Sequence, residues 1–223
     1  MPLQKNKKIL VYFFIFFIFG TLNNKNLINF NFDKPTEIHI EGLNDQNNLD
    51  LKKSLIDLKI TNSFFLEKSK INEILESNSL VEKYSVFKIY PSKLYIKIDK
   101  TKFLARLKKG GDNFFLGSNG KLIKAEEPED NLPFIFGNFK NENFFELKRA
   151  IDESNFNYHK IKELFFFKLG RWDIKTNTGI IIKLPNYNLK KSLELSMKIL
   201  LENNDKKINE IDLRQNNQII ING

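Results

Sequence analysis

The chain has 223 residues, 41% of them hydrophobic and 28% charged, enough to bury the core of one or two small domains. It contains no Cys and only two His, which excludes a disulfide framework, thiolate chemistry and a histidine-built metal centre. The net charge of +9 arises from 36 Lys and Arg scattered singly among 27 Asp and Glu, so it reads as a solvated basic surface with a weak secondary attraction to anionic headgroups, not as a nucleic-acid stripe.

The first predicted element is the apolar stretch Ile9 to Leu22. Lys5, Lys7 and Lys8 precede it and only Lys25 follows closely, so the positive-inside bias puts residues 1–8 in the cytoplasm and the rest of the chain across the membrane. About 14 residues at a 1.5 Å rise cover roughly 21 Å of a hydrocarbon core near 30 Å thick. Snorkelling of Lys8 and Lys25, bilayer thinning and partial burial of Leu27, Ile28 and Phe30 make up the difference. A signal peptide has the same start, but Gly20-Thr21-Leu22-Asn23-Asn24 offers no small-residue cleavage site. A buried soluble helix is the third reading, and it lacks a polar face. The expectation is an uncleaved anchor over 9–22.

After a polar linker over 23–34, Ile38 and Ile40 alternate with polar neighbours before Gly42, as in a strand. Leu49, Leu51, Leu55 and Leu58 predict a helix capped by Asn47, Asn48 or Asp50, and Ile71, Ile74 and Leu75 predict a second over Lys68 to Leu75. Val81 to Ile89 and Leu94 to Ile98 then form a hairpin that turns at Pro91. From Phe103 onward short strands alternate with turns: Phe103 to Leu107, Phe114 to Leu116, Leu122-Ile123, and Leu132 to Gly137 beyond an acidic loop at Glu126 to Asp130. A helix fits Phe144 to Ser154. Strands fit Leu164 to Leu169, Trp172 to Thr176 and Ile180 to Leu184, and a last helix over Leu189 to Leu201 has Asn188 as its cap. Ile208 to Gly223 is strand-like. The expected fold class is α+β, a β-α-α-β-β module followed by a mostly antiparallel β domain with flanking helices.

Catalytic devices are missing from the sequence. His39 and His159 cannot build a zinc site, and the ten glycines form neither a nucleophile elbow, a Walker loop nor a dinucleotide fingerprint. Glu126, Glu127, Glu129 and Asp130 cluster around Pro128, where solvated charge outweighs a general-acid pair. Asp173 and Asp212 each lie near an arginine that can pair with a carboxylate for structural reasons. The Phe residues fall at strand or helix spacing, as core residues do. No enzyme activity and no cofactor are expected.

The order and spacing of several pieces resemble the FtsQ/DivIB family of bacterial division proteins. Those pieces are Ile38-His39-Ile40-Glu41-Gly42, the hairpin from Val81 to Leu94, Phe115 to Ile123, Leu132-Pro133-Phe134-Ile135-Phe136-Gly137, Gly170-Arg171-Trp172-Asp173-Ile174 and Ile211-Asp212-Leu213-Arg214. The last two most resemble the proteobacterial, FtsQ-like branch. In place of the acidic residue and proline that often follow the third strand of the module, this chain has Asp99-Lys100-Thr101-Lys102-Phe103. The resemblance implies a POTRA-like domain over 35–101 and an FtsQ-type β domain over 102–223, both periplasmic. It implies a single-pass, inner-membrane, non-enzymatic scaffold at the division septum that binds FtsB and FtsL.

In the family, FtsB adds a strand to the edge of the β domain near its C-terminus. By motif match that surface falls on Arg214, Gln215, Asn217, Gln218, Ile219, Ile220 and Ile221, with Arg171 as a side contact. A central strand buried on both faces, or a simple hairpin turning at Asn216-Asn217, is the plainer reading of those residues. Two other functions stay open: a POTRA-bearing component of polypeptide transport or outer-membrane assembly, and a membrane-bound hydrolase using Glu126 or Glu127.

Overall fold

The structure is a computed structural model that describes residues 3–22, 37–57, 64–89, 93–125, 131–203, 208–215 and 218–223. The linker 23–34, the turn at Pro91, the acidic loop Glu126 to Asp130 and Asn217 lie outside the described residues. Helix α1 spans Leu3–Leu22, and every side chain from Ile9 to Phe19 is exposed, from 42% at Ile15 to 75% at Phe16, so no side of it is buried. Its first two turns carry Lys5, Lys7 and Lys8. Among the described residues no helix is long and apolar enough to cross a membrane, so the expected span over 9–22 is not met by the length and hydropathy of this helix.

Contacts divide the chain into two compact units, the first formed by Met1–Leu75 with Ser85–Lys97 and the second by Glu76–Tyr84 with Ile98–Gly223. In the first unit, strand β1 (Glu37–Glu41) runs parallel to β3 (Lys93–Lys100), with Ile38 opposite Leu94 and Ile40 opposite Ile96. Strand β2 (Val81–Ile89), of which Ser85–Ile89 belongs to this unit, completes a three-stranded sheet of order β1-β3-β2. The alternation seen in the sequence buries Ile38, Ile40, Leu94 and Ile96 on one face. Helix α2 (Asp45–Asp57) packs on β1 and buries Leu51 and Leu55, while α3 (Phe64–Ser77) buries Ile71 and Leu75. The cap of α2 is Asn44 and not one of the residues predicted, because its carboxamide accepts the Asn47 N–H at 2.9 Å. On the other sheet face the exposed His39 ring stacks on Tyr95 at 5.5 Å, an ordinary surface role for that histidine.

The second unit holds a nine-stranded sheet. Its strands are β4 (Phe103–Lys109), β5 (Asp112–Gly117), β6 (Leu122–Lys124), β7 (Phe134–Phe136), β8 (Ile161–Phe166), β9 (Trp172–Thr176), β10 (Ile181–Lys183), β11 (Glu210–Asp212) and β12 (Ile220–Asn222). Their order is β12-β11-β10-β9-β8-β7-β4-β5-β6. The β10–β11, β4–β7 and β7–β8 pairs are parallel and the others antiparallel. Parallel neighbours need crossovers, and two are supplied by helices. Helix α4 (Asn141–Glu153) joins β7 to β8, and α5 (Leu189–Glu202) joins β10 to β11. The two helices pack together and cover one sheet face, where Phe144, Leu147 and Leu193 join Ile135, Leu164, Trp172, Ile174, Ile182 and Ile211 in a single core. Asn188 stands at the start of α5 in the left-handed region at φ 50° and makes no side-chain cap; its carbonyl accepts the Ser192 N–H at 3.1 Å.

At the end of the sheet where β4 begins, Glu82 accepts hydrogen bonds from Ser118 Oγ at 2.6 Å and Thr101 Oγ1 at 3.1 Å. Asn119 Nδ2 donates to the Ser79 and Val81 carbonyls, each at 2.9 Å. The Ser-Asn-Gly piece of the sequence thus fixes Glu76–Tyr84 within the second unit.

Candidate partner-binding edge

Strand β12 is the last strand on one side of the sheet, antiparallel to β11, with Ile220 opposite Asp212, Ile221 opposite Ile211 and Asn222 opposite Glu210. The Asn222 carbonyl accepts from Asn209 N–H at 2.8 Å, so the backbone groups of Asn222 point at β11 and those of Ile221 point outward. Ile219, Ile220 and Ile221 are 43%, 36% and 45% exposed. The strand is shorter than the run from Ile208 suggested. The core extends to Ile211 and Leu213 and stops there, so neither face of β12 packs inward.

Arg214, Gln215, Gln218, Ile219, Ile220 and Ile221 come together around the β11–β12 hairpin. A cleft of about 290 Å³ opens beside it, lined in part by Tyr187, Lys191, Leu195, Leu213, Gln218 and Ile219. Arg171 precedes β9, three strands in from the edge. It is linked to Arg214 through the charges between them, since both cations act on Asp173.

Those charges form a row. Asp173 on β9 is in register with Lys183 on β10, which is in register with Asp212 on β11, all on the sheet face away from α4 and α5. The side chain of Asp212 accepts Arg214 Nε at 2.8 and 3.0 Å and also takes Arg214 Nη2. Lys183 Nζ pairs with Glu210 at 2.6 Å, and Lys175 with Glu163 at 3.0 Å one row away. Hydrogen bonding from Arg214 holds the Asp212 carboxyl below the usual carboxylate range. Asp173 behaves oppositely. Burial pushes its carboxyl up, against the pull of Arg171, Arg214 and Lys183, and the negative charge of Asp212 adds to the rise. Its Oδ1 has no hydrogen-bond partner, nor has Arg171 Nε, whose guanidinium lies over the Phe167 ring at 4.8 Å.

The two arginine-bearing sequence pieces are explained by alternation. In Gly-Arg-Trp-Asp, Trp172 is buried against Phe139 and Phe166 while Arg171 and Asp173 take the other face; in Ile-Asp-Leu-Arg, Ile211 and Leu213 are buried while Asp212 and Arg214 pair. Sequence reasoning singled out both aspartates and missed Lys183 and Glu210, which only strand register brings beside them. Among the described residues no group of acidic residues or histidines could hold a metal ion. Glu126 and Glu127 lie outside the described residues.

The fold and its edge define a mixed α+β protein, a POTRA-type module joined to a large sheet whose terminal strand β12 is exposed. Comparison with known families places it more narrowly. Residues 105–214 match the family model described as cell division protein FtsQ/DivIB, C-terminal, and residues 34–100 match the POTRA domain, FtsQ-type. The chain belongs to the FtsQ/DivIB family of cell-division proteins. It is similar to cell division protein DivIB of Bacillus subtilis (strain 168), 32% identical over 95 residues, covering 40% of this chain and 36% of that relative. It is also similar to cell division protein FtsQ of Rickettsia bellii (strain RML369-C), 24% identical over 191 residues, covering 84% of this chain and 72% of that one. The solved extracytoplasmic domain of DivIB from Geobacillus stearothermophilus aligns with 48% of this chain and 97% of its own, at 14% identity and a TM-score of 0.35, a likeness that supports no conclusion by itself.

Proposed function

We propose that this chain is a non-enzymatic scaffold of the division machinery that binds FtsB and FtsL by offering β12 as an edge for strand addition. The observation that carries the reading is the exposed terminal position of β12, whose Ile221 N–H and C=O point away from β11. Backbone pairing supplies affinity, the isoleucines supply apolar contact, and Arg214, Gln215 and Gln218 supply polar groups beside the strand; Asn217, outside the described residues, and Arg171, three strands in from the edge, are assigned to the same surface by resemblance. Uncovered, such an edge invites aggregation, so a dedicated partner strand also protects it.

In the same reading Ile9 to Leu22 anchors the chain in the inner membrane, N-terminus inward, with both folded units in the periplasm. What supports this is an apolar surface exposed on every side of α1 from Ile9 to Phe19, behind three lysines. Ile219→Glu introduces a charge where the partner strand would pack. Titration with the periplasmic segment of FtsB is expected to show at least about tenfold weaker binding, equivalent to about 1.4 kcal/mol. Unchanged affinity would remove the site from this strand.

A further inference from the structure

The sequence holds two Asn-Gly pairs, Asn119-Gly120 and Asn222-Gly223. Asparagine before glycine is prone to lose its amide nitrogen, because a residue without Cβ lets its own backbone nitrogen swing onto the preceding carboxamide carbon. The fold treats the two pairs differently. In the first, Asn119 Nδ2 donates to the Ser79 and Val81 carbonyls, each at 2.9 Å, and its Oδ1 accepts the Lys121 N–H at 3.0 Å. The Gly120 N–H donates to the Gly117 carbonyl at 2.9 Å, so the carboxamide and the nitrogen that would attack it are both tied. In the second, Asn222 and Gly223 are exposed, and among the described residues the Asn222 carboxamide makes one hydrogen bond, from Nδ2 to Glu210 at 3.2 Å. The Asn222 carbonyl faces β11, so alternation turns the Gly223 N–H outward, as it does that of Ile221. Fraying at the end of this three-residue strand is enough to free the Asn222 backbone for ring closure.

We propose that Asn222 is a site of spontaneous deamidation that spoils the β12 edge of the free protein with age, and that a partner strand paired with β12 holds the reaction off. The Gly223 nitrogen bonds to the Asn222 side-chain carbonyl carbon, the bond from that carbon to the amide nitrogen breaks, and ammonia leaves carrying the proton that the Gly223 nitrogen gave up. Water then opens the cyclic imide at either carbonyl, leaving aspartate or isoaspartate, so water is the only reagent consumed. The aspartate product puts a carboxylate opposite Glu210, in register across β11 and β12, where Asn222 had donated a hydrogen bond. Like charges directly opposite weaken strand pairing. The isoaspartate product lengthens the main chain by one methylene, which breaks the repeat of outward N–H groups that an added strand pairs with. The inference rests on the reading that β12 binds the partner, and it gives the unoccupied edge a limited lifetime. An added strand that accepts the Gly223 N–H ties the attacking nitrogen, as the Gly117 carbonyl already does for Gly120, and it stops the fraying that ring closure needs.

Peptide mass mapping of the full-length chain, kept folded in mildly alkaline water enriched in heavy oxygen, tests this directly. Asn222 is expected to take up one heavy oxygen, with isoaspartate among the products, while Asn119 stays intact in the same sample. Conversion of Asn119 as fast as Asn222, or none at Asn222, overturns the proposal. Asn222→Gln and Gly223→Ala, both at exposed positions, are expected to suppress the uptake without changing the fold. With the FtsB periplasmic segment at about 100 times its Kd, conversion of Asn222 is expected to slow by at least about tenfold. A complex that forms while Asn222 converts as fast as in the free chain overturns the protection and with it the proposal. The converted chain, separated from the unconverted one, is expected to bind the segment more weakly by about two- to fivefold, and equal affinity overturns the claim that the edge is spoiled. No complex with the unconverted chain overturns the edge-strand reading, whereas conversion in the free chain is measured without any partner and decides the modification site on its own.

Discussion

Asp173 and Asp212 flank Lys183 in one register row, yet their surroundings drive them in opposite directions. The raised Asp173 carboxyl gives the folded state the greater proton affinity. Its favourable contribution to stability is therefore complete below the ordinary carboxylate value and is lost as pH rises through the raised one. Asp173→Asn is expected to stabilise the protein by about 1–2 kcal/mol near neutral pH, with the gain vanishing in acid, as thermal melts across pH would show. The depressed Asp212 carboxyl, held by Arg214, contributes stability above the ordinary carboxylate value and loses it as pH falls through the depressed one. Asp212→Asn is expected to cost about 2 kcal/mol at neutral pH and progressively less in acid, measured in the same way.

At the scale of elements, most strands and all the later helices are legible in the sequence, because burial follows the periods of 2 and 3.6. Trp172–Thr176 and Val81–Ile89 form strands over the residues their alternation indicates. Strand β8 shows where the period misleads. It runs Ile161–Phe166 instead of Leu164 to Leu169, because an irregularity in its pairing with β9 between Ile161 and Glu163 puts two buried residues, Ile161 and Leu164, three positions apart. The aromatic run then continues past the strand end into a turn closed by Phe167 N–H to the Arg171 carbonyl at 3.0 Å. The parallel pairings were not legible at all, since sequence periodicity does not say which strand lies beside which. Gly137 ends β7 at φ 102°, with the Phe166 carbonyl in the space a side chain would occupy. Gly137→Ala is accordingly expected to destabilise the second unit by about 2 kcal/mol or more, by strain and by displacing β8, which denaturant titration would measure. Ile219→Glu, at an exposed position, should shift the same titration by no more than about 0.5 kcal/mol, so that lost partner binding could not be ascribed to unfolding.

Across the whole molecule, the membership of the FtsQ/DivIB family of cell-division proteins and the exposed terminal strand β12 direct attention to assembly. The candidate site was legible only in part. Resemblance singled out Arg214 to Ile221, but the charge row behind it depends on β9, β10 and β11 lying side by side, which the fold alone establishes. On the proposed reading as a division scaffold, a fluorescent fusion is expected to collect at midcell instead of spreading around the envelope. Amide hydrogen exchange at Ile221 is the sharpest test of whether a partner strand pairs with β12. The outward N–H of Ile221 is expected to exchange quickly in the free chain and to become protected when the FtsB periplasmic segment binds. A bound complex in which the Ile221 amide exchanges as fast as before would contradict it.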